Sequence, residues 1–121
     1  MGWFFEVGRR FGVRVYGFIS DRGLREANSA LADLLKGWGL ARDVGVFGAV
    51  SGRGWELVCR IESGVLLRSL LGDGVHESEF LRGLLKGYYE QLLGREVEVR
   101  ESRNSPYYEF ILMVGGEGGG P

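Results

Sequence analysis

The stretch His76-Glu-Ser-Glu-Phe-Leu-Arg-Gly-Leu-Leu-Lys-Gly-Tyr-Tyr-Glu-Gln-Leu-Leu-Gly94, continued by Arg95-Glu-Val-Glu-Val-Arg-Glu-Ser102, decides how this chain folds. Phe80, Leu84, Tyr88 and Leu92 recur every fourth residue with Leu81, Leu85 and Tyr89 beside them, while Glu79, Arg82, Lys86 and Glu90 fall opposite. That spacing gives a helix with one wide apolar face, which must be buried. Gly83 and Gly87 interrupt the helix one turn apart. Each costs about 1 kcal/mol of helix propensity against alanine, so their presence points to another backbone or a ligand coming close. Gly94 suits a left-handed cap at the end.

Beyond Gly94 the period changes from a helix to a strand. Val97, Val99 and Glu101 alternate with Glu98, Arg100 and Ser102, and after the turn chemistry of Asn104, Ser105 and Pro106, Tyr108, Phe110, Leu112 and Val114 alternate with Tyr107, Glu109, Ile111 and Met113. This reads as a hairpin whose second strand has little solvent exposure.

Working back toward the amino terminus, Leu66 to Leu71 reads as a short helix or turn broken by Gly72-Asp-Gly74, with the long helix starting near Glu77 or Ser78. Val44–Val50 and Trp55–Ile61 are β-type runs joined by Ser51-Gly-Arg-Gly54, and Leu57, Cys59 and Ile61 share one face with Trp55. Leu24 through Trp38 is an amphipathic helix with Leu24, Ala27, Leu31, Leu34, Leu35 and Trp38 on its apolar side and Ser20 or Asp21 as its cap. The start is ambiguous. Phe4, Val7, Phe11, Val15 and Phe18 fit a helix from Trp3 to Ile19, although Val13, Val15 and the glycines also tolerate a strand. The order is helix, helix, hairpin, helix, helix, hairpin, an α+β arrangement in which helices cover a four-stranded antiparallel sheet. Residues 1–114 make a single domain, and 115–121 form a flexible glycine-rich tail.

Several of these residues carry a resemblance. Phe80-Leu-Arg-Gly-Leu-Leu-Lys-Gly87, Leu92-Leu-Gly-Arg-Glu-Val-Glu-Val-Arg-Glu-Ser102 and Tyr108-Glu-Phe110 look like the end of a 4-vinyl reductase domain, a structural relative of the Bet-three-type subunits of the TRAPP vesicle-tethering complex. Arg10-Phe-Gly-Val-Arg-Val-Tyr16 is similar to the first helix of those subunits, and Leu34-Leu-Lys-Gly-Trp-Gly-Leu40 to the end of the second helix in both groups. The resemblance implies a domain that binds a small hydrophobic molecule as a sensory or regulatory module, or alternatively a TRAPP-like scaffold subunit that assembles with a second copy or a related subunit. Such domains commonly hold a metal through cysteines near the long helix and in the last hairpin. Here those places read Val75-His-Glu-Ser78 and Ser102-Arg-Asn-Ser-Pro-Tyr-Tyr108, so no metal site of that type is expected. Acylation in the TRAPP relatives uses an amino-terminal cysteine, which this chain lacks.

Composition bounds the chemistry. The 121 residues include 15 basic and 16 acidic ones, so no field of the kind that captures nucleic acid is expected. The local cluster Arg9, Arg10 and Arg14 has acids nearby. Arginine outnumbers lysine thirteen to two, a skew compatible with a heat-adapted protein, and glycines number 22. No run approaches the roughly 20 apolar residues that span a bilayer, and no secretory signal is evident, so a cytoplasmic protein is expected. His76 is the only imidazole and Cys59 the only thiol. Cys59 belongs on an apolar strand face, His76 in a solvated loop before the long helix, and the acids at 77, 79, 98 and 101 among solvated partners of arginines. The expected protein is therefore not an enzyme and needs no cofactor. Its remaining asset is apolar volume. Phe11, Val15, Phe18, Trp38, Phe80, Leu84 and Tyr88 can line a space between helices, with Gly83 and Gly87 leaving room for it; a plain close-packed core accounts for the same stripes. These nine residues are the expected ligand-binding positions, and a homodimer the expected assembly.

Overall fold

A computed structural model describes residues 2–19, 23–51, 54–72, 74–103 and 107–115. The chain forms α1 (Trp3–Tyr16), α2 (Leu24–Gly37), β1 (Ala41–Ser51), β2 (Gly54–Ser63), α3 (Val65–Leu71), α4 (Gly74–Leu93), β3 (Glu98–Arg103) and β4 (Tyr108–Gly115). The arrangement expected from the sequence is the one observed, helices packed on a four-stranded antiparallel sheet. The strand order is β1-β2-β4-β3, so each hairpin contributes its second strand to the centre and its first strand to an edge.

Register explains which strand faces are buried. Leu57 pairs with Leu112, Cys59 with Phe110 and Ile61 with Tyr108 across β2 and β4. All six are buried, and side chains of one parity on both strands therefore point into one core. The opposite parity pairs Val58 with Ile111 and Arg60 with Glu109. On that outer face Arg60 lies over the Phe47 ring at 5.4 Å and the Tyr107 ring at 5.7 Å and bridges to Glu109 at 3.4 Å.

The helices fit the sheet through two different devices. α2 buries Ala27, Leu31 and Leu35 completely, the stripe its spacing demands. α4 joins it through buried tyrosines: the Tyr88 hydroxyl donates to the Ala27 carbonyl at 2.6 Å and the Tyr89 hydroxyl to Asn28 Oδ1 at 2.6 Å. A buried phenol without such a partner would cost about 1–3 kcal/mol. On the same carboxy-terminal half of α4, Lys86 donates to the Val97 carbonyl at 2.7 Å and pairs with Glu90, which accepts from the Val97 amide, fixing the passage into β3.

The second device is a glycine contact between α1 and α4. A Cβ on Gly83 would stand 2.1 Å from the Phe5 carbonyl oxygen, and one on Gly87 2.1 Å from that of Arg9. The partner helix carries the matching pair, since Gly8 would meet the Phe80 oxygen and Gly12 the Leu84 oxygen, each at 2.1 Å. Phe4 against His76, Gly8 against Phe80 and Tyr16 against Tyr88 show that the two helices run parallel. The close approach anticipated at Gly83 and Gly87 is to another backbone. The same glycines fill the helix interface and do not open a space.

Several boundaries differ from expectation for identifiable reasons. α1 ends at Tyr16, because Gly17 caps it and Phe18 and Ile19 turn back by bonds to the Val15 and Tyr16 carbonyls, tighter than an α-helix allows. α2 is preceded by Gly23 as its cap, without a side-chain bond; Ser20 and Asp21 lie outside the described residues. α4 starts at Gly74, earlier than Glu77, and this places His76 in its first turn rather than in a loop, with its ring 4.4 Å from that of Phe4. The two hairpin connections and the tail, residues 52–53, 104–106 and 116–121, also lie outside the described residues.

Candidate ligand-binding groove

The groove is built around the short helix α3. Its first turn is tied to the α2–β1 connection, where the Gly64 amide donates to the Leu40 carbonyl at 3.0 Å and the Leu66 amide to the Gly39 carbonyl at 3.2 Å. Gly39 adopts φ +77°, a left-handed conformation that turns the chain sharply after Trp38. Gly64 packs so tightly there that a Cβ would sit 2.2 Å from the Gly39 oxygen. α3 is thus held opposite the second half of α1, with its leucines facing Trp38 and Leu40 across a gap.

That gap has a volume of about 620 Å³, is open to solvent on one side, and presents a wholly apolar wall. Phe11, Val15 and Phe18 supply one side, Trp38 and Leu40 the end, Phe80 the floor next to α4, and Leu66, Leu67, Leu70 and Leu71 the α3 side; Arg14 completes the lining. Aromatic edges organise it: Phe11 meets Trp38 at 6.0 Å and Phe80 at 5.7 Å, and Phe18 meets Trp38 at 5.8 Å. Phe18 is 71% and Leu70 69% exposed, so large apolar surfaces stand in water around an unfilled depression. A volume of this size lies within the range of small-molecule sites, about 300–1,000 Å³.

Of the nine positions expected from sequence, the structure brings Phe11, Val15, Phe18, Trp38 and Phe80 together at this groove. It places the other four elsewhere. Gly83 and Gly87 lie against the α1 backbone, and Leu84 and Tyr88 are fully buried in the core. Sequence reasoning passed over the leucines of α3, Leu40 and Arg14. Leu66, Leu67, Leu70 and Leu71 did carry a signal, an apolar pair repeated one turn on within a segment too short to establish a helical face.

A second feature lay hidden in the acids. Glu77 is 3% exposed. Its Oε1 accepts from the Ser63 hydroxyl at 2.9 Å and the Tyr108 hydroxyl at 2.8 Å, and its Oε2 lies 3.6 Å from Arg68 Nε. The neighbouring Ser78 hydroxyl donates to Glu101. Glu77 is thus held inside the fold and the half-buried Glu101 is engaged by Ser78, against the expectation of solvated partners of arginines. Burial, and then the bond to Glu77, push the Tyr108 phenol above its ordinary value. Through Arg68 the cluster reaches α3, whose leucines form one wall of the groove. Cys59 is buried in the core, where desolvation pushes its thiol up to about 12, the state of an unreactive structural cysteine. Among the described residues no group of three or more His, Cys, Asp or Glu is placed to hold a metal ion. No helix among them is long and apolar enough to cross a membrane.

No family model matches the sequence, and no curated protein matches it. Solved structures do. The phenol-responsive sensory domain of the transcription activator PoxR, determined with phenol, superposes with a TM-score of 0.69 at 18% identity, over 91% of this chain and 62% of that one. The present chain therefore spans somewhat less than two thirds of that domain. A vinyl-4-reductase family protein from Methanocaldococcus jannaschii superposes with a TM-score of 0.60 at 13% identity, over 94% of this chain and 69% of that one.

Proposed function

We propose that this chain, which has the fold of the vinyl-4-reductase-like domains, is a non-catalytic module that binds a small hydrophobic molecule in the α1–α3 groove and serves sensing or regulation. The observation that carries this reading is the 620 Å³ apolar depression ringed by exposed Phe18, Leu66 and Leu70. Leaving those surfaces in water forgoes about 25 cal/mol per Å² that an apolar occupant would recover. The match to a domain that responds to phenol supports the ligand class, and the absence of reactive groups among the described residues of the groove wall supports binding over turnover.

Titration of the purified protein with 4-butylphenol, followed by calorimetry and by the fluorescence of Trp38 at the groove end, tests this directly. Saturable binding is expected, and Leu70→Glu, which puts a charge on the groove side of an exposed α3 position, should abolish it while leaving the thermal midpoint within a few degrees of wild type. A chain that binds no alkylphenol, or that binds it equally well with Glu at position 70, does not use this groove.

A second reading, the scaffold, rests on a different surface. Trp3 is 71% and Val75 69% exposed at the amino-terminal ends of α1 and α4, beside the Phe4–His76 ring pair. Pairing with a second copy or a related subunit would cover them. Trp3→Glu then gives a monomer from a dimeric wild type in sedimentation, and an unchanged mass removes the support.

A further inference from the structure

We infer that the groove selects a singly charged organic anion, a monocarboxylate on an apolar body larger than one aromatic ring, and that Arg14 is the residue that reads its headgroup. This rests on the groove being a ligand site and adds the chemical class of the ligand.

Three observations carry it. Among the described residues Arg14 is the only charged one on the lining, with no Asp or Glu beside it. Its guanidinium has no ion pair, hydrogen bond or ring contact among the described residues, whereas its neighbours in the sequence cluster are engaged, Arg9 and Arg10 both bridging to Glu6. The wall itself is wholly apolar, so Arg14 lends its methylene stem to the groove and carries its charged end beyond it, the arrangement of a side chain that covers apolar surface while its head stays at the rim. An unpaired cation at the edge of an apolar depression complements one molecule type above others, an amphiphile whose carboxylate meets the planar guanidinium while its body fills the depression.

Volume sets the size of the body. At about 620 Å³ the space is roughly four times the ~150 Å³ cavity that takes up a benzene ring, so a single phenol-sized ring leaves most of the wall uncovered. Each further buried methylene should improve affinity about fourfold until the groove is full. An aryl or alkyl-aryl carboxylate of two to three times the size of phenol satisfies both the space and the charge.

The experiment compares three probes of one shape, 4-butylbenzoate, 4-butylphenol and 4-butylbenzylammonium, titrated calorimetrically into the full chain at neutral pH and into Arg14→Gln and Arg14→Lys. The carboxylate is expected to bind about five- to tenfold more tightly than the phenol, with the ammonium weakest. Arg14→Gln should bring the carboxylate down to the level of the phenol, Arg14→Lys should keep part of the preference, and raising the salt should shrink it. Equal binding of carboxylate and phenol by wild type, or a preference that survives Arg14→Gln, overturns the headgroup assignment while leaving the hydrophobic site intact. Failure of all three probes to bind removes both. A wild-type dimer that Leu70→Glu splits, with no probe bound, shows instead that a second copy of the chain occupies the groove, and overturns the proposal.

Discussion

Glu77 shows at residue scale what spacing conceals. Its position in the sequence, among Glu79, Arg82 and other charged residues, resembles a solvated face, yet it is buried because Ser63 and Tyr108 arrive from the ends of β2 and β4 to donate to it. Such partners come from strands at separations that no local period records. Glu77→Ala strands both hydroxyls and should lower the unfolding free energy by about 2–3 kcal/mol in urea titration. Arg68→Ala, which removes a partner that is 67% exposed, should cost less than about 1 kcal/mol. The buried thiol and phenols set the alkaline limit. Burial raises Cys59 from 9.0 to about 12, Tyr88 from 10.0 to about 12, and Tyr89 well above its ordinary value. Each holds its proton more tightly folded than unfolded, so its contribution is complete below the unfolded value and is lost as pH rises toward the folded one. Denaturant midpoints should therefore fall progressively from about pH 9 to pH 12, beginning with Cys59, while Cys59 stays inert to thiol reagents until the protein unfolds. A midpoint that holds constant across this range would contradict the burial of these groups.

Elements were legible where one face repeats long enough to be counted. α2, α4, β2 and β4 all carry their burial in their spacing, and the close approach at Gly83 and Gly87 was readable from their cost to a helix. The matching Gly8 and Gly12 have the same four-residue spacing, but in α1 the glycines and Val13 and Val15 left helix and strand both open, and only the α4 backbone shows why they are small. Alanine at Gly12 or Gly87 should raise helix propensity by about 1 kcal/mol and still destabilise the protein, because a Cβ would lie 2.1 Å from a carbonyl oxygen and force the helices apart. The net loss should be about 1–3 kcal/mol or more by thermal or chemical denaturation. Alanine at Gly37, which meets nothing within 4 Å, serves as the control and should be neutral or slightly stabilising. α3 lies at the other extreme, seven residues whose face is given by what stands opposite.

The whole molecule divides into a part that its own sequence dictates and a part that assembly creates. Alternation in the two hairpins is enough to imply one sheet with a covered face, and the observed order β1-β2-β4-β3 puts at the centre the two strands whose alternate residues are buried, Leu57, Cys59 and Ile61 on β2 and Tyr108, Phe110, Leu112 and Val114 on β4. The groove has no such local origin. It exists because α3 is pinned at Gly39 and Gly64 opposite α1, so only those expected residues that happen to face that gap, Phe11, Val15, Phe18, Trp38 and Phe80, meet there, while Leu84 and Tyr88 complete the core. The shape of the molecule, an exposed apolar depression on a well-packed α+β body, makes occupancy of that depression the point on which its function turns. The most direct measurement is a two-dimensional amide NMR titration of the isotopically labelled chain with 4-butylphenol. Occupancy of the groove shifts Phe11, Val15, Phe18, Trp38, Leu66 and Leu70 together along one saturating curve and leaves Glu56 and Val58, on the outer face of β2, in place. Shifts absent from these six, or spread evenly over the sheet, would contradict it.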